Sequence, residues 1–155
     1  MTTTEVALFG HLVGVLAFVS GLVVAAVVFE AARRREAPAE ISALLAVARF
    51  GVIFVLGGAV LLVVCGLWLV HLEHVGYGAG WIDWALGLFV LALVLGGAGG
   101  RAPRHARLAA ARLASDGAPM NAELRGLLDD RLSLIANYAA AACVLAILVL
   151  MVFKP

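Results

Sequence analysis

The sequence predicts an all-α membrane protein, a polytopic bundle of four transmembrane helices with both termini on the outer side (N-out/C-out). Of its 155 residues, 65% are hydrophobic and 14% are charged, whereas soluble domains are about half apolar and a quarter charged. Four apolar runs of about twenty residues are each long enough to cross a hydrocarbon core of about 30 Å. The period-2 alternation of membrane strands is absent. These observations exclude an ordinary soluble domain.

The apolar runs define the elements in chain order, because in lipid a helix satisfies its own backbone hydrogen bonds. No Lys or Arg precedes the first run, so we expect it to be a retained helix rather than a cleaved signal. We predict a single transmembrane domain over residues 1–155, with spans at about 6–29, 50–70, 81–97 and 132–153 and with cytoplasmic loops at 30–49 and 98–131.

The basic residues determine the predicted orientation. Lys154 follows the fourth span, whereas the ten arginines all lie in or next to two connections. Cytoplasmic loops carry an excess of Lys and Arg, so these two connections are expected in the cytoplasm and both termini outside. The arginines are Arg33, Arg34, Arg35, Arg49, Arg101, Arg104, Arg107, Arg112, Arg125 and Arg131.

Helix-start signals lie within both basic connections. Pro38 suits a first helical turn, so we expect the second helix to begin in the cytoplasm. Asn121 suits an N-cap, and an apolar stripe runs from Leu124 into the fourth span. The fourth helix is therefore expected to extend beyond the membrane. The basic stretch at 103–115 fits either a helix on anionic headgroups or a solvated connector that fixes topology, and we favour the connector.

Small residues recur on one face of the first span, at Gly10, Gly14 and Gly21. Such stripes allow close helix packing in lipid. We expect them to pack against another helix of the same chain, and a homodimer face is the alternative.

Three histidines form the candidate cofactor site. His11 lies about five residues inside the first span, and His71 and His74 end the second, one turn apart on one face. Because these helices run antiparallel, all three are expected near the outer surface. Imidazoles ligate copper, zinc and haem iron, so His11 with His71 or His74 is predicted to bind haem b or a transition metal such as copper. Alternatively, His71 and His74 are ordinary interface residues, and His11 makes one hydrogen bond to a backbone carbonyl or to Asp83.

Two other polar positions are expected to be structural. Glu30 precedes Arg33 and Arg34 by three and four residues, a spacing that predicts ion pairs. Asn137, inside the fourth span, is predicted to form an interhelical hydrogen bond towards Arg49 or Glu30.

The absence of familiar motifs favours a non-enzymatic protein, although the sequence does not settle this. It contains no phosphate-binding glycine loop, HExxH, CxxC or Gly-x-Ser-x-Gly motif. We predict a membrane protein of unassigned activity that binds haem or a metal. The alternative is a non-catalytic component that associates with itself or with a membrane partner. A permease would need a polar midplane, which the spans lack. The lipid bilayer is the expected partner, and nucleic acid is not.

Three segments carry a family resemblance: the stretch from Gly10-His11 to Gly21, Gly66-Leu-Trp68-Leu, and Met151-Val-Phe-Lys-Pro155. They resemble a family of small bacterial integral membrane proteins of unknown function, similar in plan to the CopD and HemJ groups. The resemblance implies a four-helix bundle in the bacterial inner membrane. Similarity to HemJ implies haem and protoporphyrinogen oxidation at a first-helix histidine, a position that His11 matches, and similarity to CopD implies copper handling.

Overall fold

The computed structural model describes residues 2–73 and 80–153, and these residues form helices and no strand. Four helical segments are long and apolar enough to cross a membrane, which confirms the predicted all-α, four-span class. The N-out/C-out orientation and the single domain stay predictions. The helices are α1 (Thr3–Arg33), α2 (Pro38–Leu72), α3 (Gly80–Gly99), α4 (Arg101–Ser115), α5 (Ala122–Leu128) and α6 (Arg131–Phe153).

The chain divides into two compact units, which are described separately. The first is essentially the α1–α2 hairpin, and the second contains α3 to α6. In both units the membrane-spanning helices expose large apolar side chains, for example Leu16 (70% exposed), Val94 (63%) and Leu145 (64%). Such surfaces are unfavourable in water but are suited to contact with lipid.

Helix α1 begins with a capping box, in which Thr2 N donates to Glu5 Oε2 (2.8 Å) and Glu5 N donates to Thr2 Oγ1 (3.3 Å). At its other end, Glu30 pairs with Arg33 and with Arg34, each at 3.0 Å. The predicted ion pairs are therefore confirmed. Exposed pairs of this kind contribute little to stability, so they help to define where α1 ends rather than hold the hairpin together.

Helix α2 begins at Pro38, as the sequence predicts, nearly ten turns before its end at Leu72. One face of its first turns is packed, because Ile41 and Leu45 are 0% and 2% exposed. A contact of 3.6 Å between Arg35 and Glu40 spans the short connection from α1. The helix thus extends well before the apolar run predicted at 50–70.

The α1–α2 hairpin is held by backbone contact at glycines. A Cβ added at Gly14 would lie 2.6 Å from Leu62 N, and one added at Gly21 would lie 2.6 Å from Gly51 O. In return, a Cβ at Gly51 would lie 2.8 Å from Gly21 O. No side chain fits at these distances, so the two backbones touch. In lipid, where van der Waals packing drives helix association, this contact stabilises the hairpin.

In the second unit α3 packs against α6, with Phe89, Ala92 and Ala140 buried. The helical backbone continues from α3 into α4 through Gly100, which has helical dihedral angles (φ −78°, ψ −8°). Gly100 N donates to Gly96 O (2.9 Å), and Arg104 N donates to Gly100 O (3.2 Å). Gly80–Ser115 is therefore one nearly continuous helical path of 36 residues.

Helices α4 and α5 pack against each other. Leu124 and Leu128 of α5 are fully buried, as are Ala106 and Ala110 of α4. Gly117, at φ 63°, supplies the left-handed conformation in the connection between them. The connection ends at α5, where the structure confirms the predicted cap: Leu124 N donates to Asn121 Oδ1 at 2.8 Å.

The predicted fourth helix is interrupted between its start after Asn121 and its apolar span. Helix α5 ends at Leu128, and α6 begins separately at Arg131. Between them, the side chain of Asp130 accepts a hydrogen bond from Ser133 N at 3.0 Å and so starts a new helix. Aspartate competes for backbone N–H groups in this way and favours caps over helix interiors. The apolar stripe crosses this break without revealing it.

Candidate functional site at His11

His11 is partly buried in the α1–α2 hairpin, with its Nδ1 2.9 Å from the carbonyl oxygen of Leu62. A carbonyl oxygen can only accept, so Nδ1 carries the proton and donates this hydrogen bond. In the neutral imidazole the other nitrogen, Nε2, then has a free lone pair. The contact therefore fixes the tautomer of His11 and leaves Nε2 as the nitrogen that can accept a hydrogen bond or ligate a metal.

Small residues make room for this imidazole. A Cβ added at Gly66 would lie 3.0 Å from both Cε1 and Nδ1 of His11. Next to His11 on α1, Gly10 faces Cys65, whose Sγ would lie 2.6 Å from a Cβ added at Gly10. Any larger residue at Gly66 would press on the ring. Sequence reasoning did not assign the roles of Leu62 and Gly66, although their spacing of one turn on α2 places both on one face.

His71 is exposed and lies on a different face of α2. It is nine residues beyond Leu62, which is about two and a half helical turns, so it points away from the side that contacts α1. The structure does not bring His71 to His11 within the hairpin. His74 lies outside the described residues.

The donor set around His11 is sparse. Within residues 2–73 and 80–153, no group of three or more His, Cys, Asp or Glu side chains is placed to hold a metal ion. Glu5 is engaged in the capping box of α1. The described part of the chain therefore offers His11 as a single imidazole ligand, an arrangement that a haem iron accepts from a proximal histidine. Whether the three histidines form one site stays a prediction.

Asn137 forms the predicted interhelical hydrogen bond, but with a different partner. Its Nδ2 donates to Gly99 O at 3.4 Å, not to Arg49 or Glu30. In a continuous helix the carbonyl of Gly99 would accept from residue 103, which is a proline without an N–H. Asn137 thus supplies a donor that Pro103 cannot. A Cβ at Gly99 would collide with Oδ1 of Asn137, so this contact also needs the glycine. Its role is structural.

Two grooves lie within the α3–α6 unit. The first, about 600 Å³, lies between α3 and α6 and is lined by Trp84, Leu88, Ala146, Val149 and Leu150. It contains no titratable group. The second, about 280 Å³, lies between α4 and α5 and includes His105, Arg112 and Glu123 in its lining. Neither groove includes a residue predicted for the cofactor site.

The four apolar helices and their exposed apolar surfaces define a multi-pass helical integral membrane protein. A family model described as "Predicted integral membrane protein (DUF2269)" matches residues 6–155. The chain belongs to that family, which confirms the resemblance to a small family of predicted integral membrane proteins. No curated protein and no solved structure matches the chain.

Proposed function

We propose that this protein binds haem or a transition metal through Nε2 of His11 in the bacterial inner membrane. The observation that carries the proposal is the hydrogen bond from Nδ1 of His11 to the Leu62 carbonyl. Histidines that ligate metals almost always donate their other ring N–H to a carbonyl, carboxylate or water, which fixes the ring and raises its basicity. His11 has this arrangement before any ligand is considered.

The surroundings of His11 also support a ligand role. An imidazole inside an apolar span is costly unless its ring nitrogens have polar partners. Here Nδ1 of His11 donates a hydrogen bond to the carbonyl oxygen of Leu62 on α2, and Nε2 takes no part in that bond. The bacterial location rests on the family resemblance, and the orientation that places His11 near the outer surface rests on the arginine distribution. Bound haem would supply redox chemistry, and the chain would supply its axial ligand and an apolar surround.

An absorption spectrum of the detergent-purified protein, combined with metal analysis, tests this proposal. We expect a Soret band or stoichiometric metal that is lost in His11→Ala. His105→Ala is the matched control, because His105 is exposed and belongs to α4, not to the α1–α2 hairpin. A colourless, metal-free preparation from cells supplied with haem and metals would overturn the proposal, as would a cofactor that His11→Ala leaves in place. The His71 and His74 variants then determine whether either residue adds a second ligand.

The alternative function is a non-catalytic membrane component that associates with itself or with a partner. The Gly10, Gly14 and Gly21 stripe was its predicted interface, and these three glycines lie against α2 of the same chain. A dimer would therefore need another face. If the protein forms cross-linked dimers in membranes while its α1–α2 contact is intact, this alternative gains support. A protein that does not cross-link but retains a cofactor favours the haem or metal proposal.

A further inference from the structure

Helix α4 has two faces of different chemistry. One face consists of Ala102, Ala106 and Ala110, which are 7%, 0% and 0% exposed. The opposite face is centred on Arg104 and Leu108. Each is two residues from Ala106, and two residues turn a helix by about 200°. Side chains on this second face are exposed: Arg101, Arg104, Leu108 and Arg112.

The buried alanine face determines how α4 can meet a membrane. An interfacial helix inserts its apolar face into the boundary between headgroups and acyl chains. In this structure the alanine face is already buried and α4 packs against α5, so this face is not available for insertion. Any contact of α4 with lipid must therefore be made by the exposed, basic face.

Arg101 and Arg104 have no compensating charge beside them, whereas Arg112 lines the α4–α5 groove together with Glu123. Residues 101–115 contain no Asp or Glu. Among the ion pairs of the described residues, none involves Arg101 or Arg104. Their guanidinium groups are thus open to an anionic partner, and a planar guanidinium suits bidentate hydrogen bonding to phosphate.

The arginines of this face differ in their distance along the helix from the membrane-spanning part, and therefore in their depth relative to the headgroups. Helix α3 has 20 residues, which at 1.5 Å per residue gives about 30 Å, one hydrocarbon thickness. The helical path continues through Gly100, so Arg101 and Arg104 follow the span by about 3 and 8 Å. This is the depth of the headgroups, which add about 5–7 Å on each side. Arg112 lies about 20 Å past the span, beyond them.

We infer that Arg101 and Arg104 bind the phosphate groups of anionic phospholipids in the surrounding bilayer. Arg112, on the same face but farther along α4, does not take part. The basic segment is then a lipid-binding element and not only a solvated connector. Binding is electrostatic, because the alanine face of α4 is buried within the structure. This inference depends on the membrane-spanning class of the protein and is independent of any cofactor at His11.

Native mass spectrometry of the full-length protein, released from nanodiscs of equal phosphatidylglycerol and phosphatidylcholine, tests the inference. We expect Arg101→Gln and Arg104→Gln each to lower phosphatidylglycerol retention about fivefold, corresponding to about 1 kcal/mol per arginine near the membrane surface. Arg112→Gln is the matched control, since it removes the same charge from the same face and should leave retention unchanged. Retention by the unmodified protein should also fall as salt rises.

Each of the following results would overturn the inference: undiminished retention in the Arg101→Gln/Arg104→Gln double variant, an equal loss in Arg112→Gln, or retention by the unmodified protein that does not respond to salt. Helix content in pure phosphatidylcholine shows whether the double variant is folded. If it is not, Arg101→Lys/Arg104→Lys keeps the charge and loses the guanidinium fork, and retention should stay salt-dependent but become weaker. A salt-dependent partner that is protein or nucleic acid, with no lipid preference, would also count against it.

Discussion

The backbone carbonyl of Leu62 determines which nitrogen of His11 carries the proton. Because that oxygen only accepts, the ring is held with Nδ1 protonated and Nε2 free. Gly66 is the residue that permits this position, since its missing side chain leaves space beside the ring. Helix α2 therefore contributes to the candidate site as much as the histidine does, through the carbonyl of Leu62 and the space at Gly66.

We expect Gly66→Ala to disturb His11. The added Cβ would lie 3.0 Å from two ring atoms, so the imidazole must shift and its hydrogen bond to Leu62 must weaken. An interhelical hydrogen bond in a membrane contributes about 0.6 kcal/mol on average, so in detergent Gly66→Ala should lack at least about this much of the thermal stability that a glycine-to-alanine change gains elsewhere in α2. In a preparation that holds haem, the Soret maximum should move as well.

Gly57→Ala is the matched control for this substitution. Gly57 is on the same helix and has no atom within 4 Å of an added Cβ. Replacing a helical glycine with alanine there should stabilise the protein by up to about 1 kcal/mol. If Gly66→Ala is as stable as Gly57→Ala, the close approach between Gly66 and His11 is not important for the hairpin.

At the scale of elements, Pro103 and Asn137 are coupled through the carbonyl of Gly99. We expect Asn137→Leu to lower the free energy of unfolding by about 0.5–1 kcal/mol, because the carbonyl loses its donor in a low-dielectric surround. Pro103→Ala restores a backbone N–H at the position four residues after Gly99. In that background Asn137→Leu should cost less, which a double-mutant cycle of thermal or denaturant unfolding would measure. Strictly additive effects would show that the two residues act independently.

The α1–α2 contact gives a second element-scale prediction. In Gly14→Ile the added side chain would meet the backbone of Leu62, where even a Cβ would be 2.6 Å from the amide nitrogen. The two helices must separate, and overpacking of this kind costs about 1–3 kcal/mol or more. Gly57→Ile, whose side chain enters open space, should have little effect. Thermal unfolding in detergent compares the two, and equal destabilisation would contradict the glycine contact described here.

The sequence predicted helices wherever a local signal exists. Pro38 and Asn121 mark helix starts that the structure contains, because capping preferences act over a few residues. The break at Asp130 was missed, since hydrophobic periodicity continues through it while the aspartate side chain starts a new helix. Contacts between the turns of two helices join residues that are far apart in the sequence, and hydrophobic periodicity does not predict which turns these are. For this reason Asn137 was assigned the wrong partner, and Leu62 was not identified as the acceptor of His11.

At the scale of the whole molecule, the arginines are found where helices meet water. Arg33 and Arg34 close α1 through Glu30, whereas Arg101 and Arg104 begin α4 without an acidic partner in the same helix. Both groups flank apolar helices at the same predicted side of the membrane. Ion pairs at the end of α1 and lipid phosphates at the start of α4 would each stabilise the position of a helix end. The charge pattern then has two roles, orienting the chain during insertion and holding it at the surface afterwards.

Orientation is the whole-molecule prediction that follows from this charge pattern. The N-terminus is expected outside and the basic connections in the cytoplasm, because ten of the eleven Lys and Arg residues lie in or beside those connections. Thr3 and Ser115 are both exposed, near the N-terminus and at the end of α4. In intact bacterial cells, a membrane-impermeant maleimide should label Thr3→Cys and not Ser115→Cys, and permeabilised cells should show both. The native Cys65 is buried and Cys143 lies within α6, so the unmodified protein measures the background. Labelling of Ser115→Cys alone in intact cells would reverse the topology and would place His11 at the cytoplasmic side, where the proposed cofactor would meet a different pool of reductants.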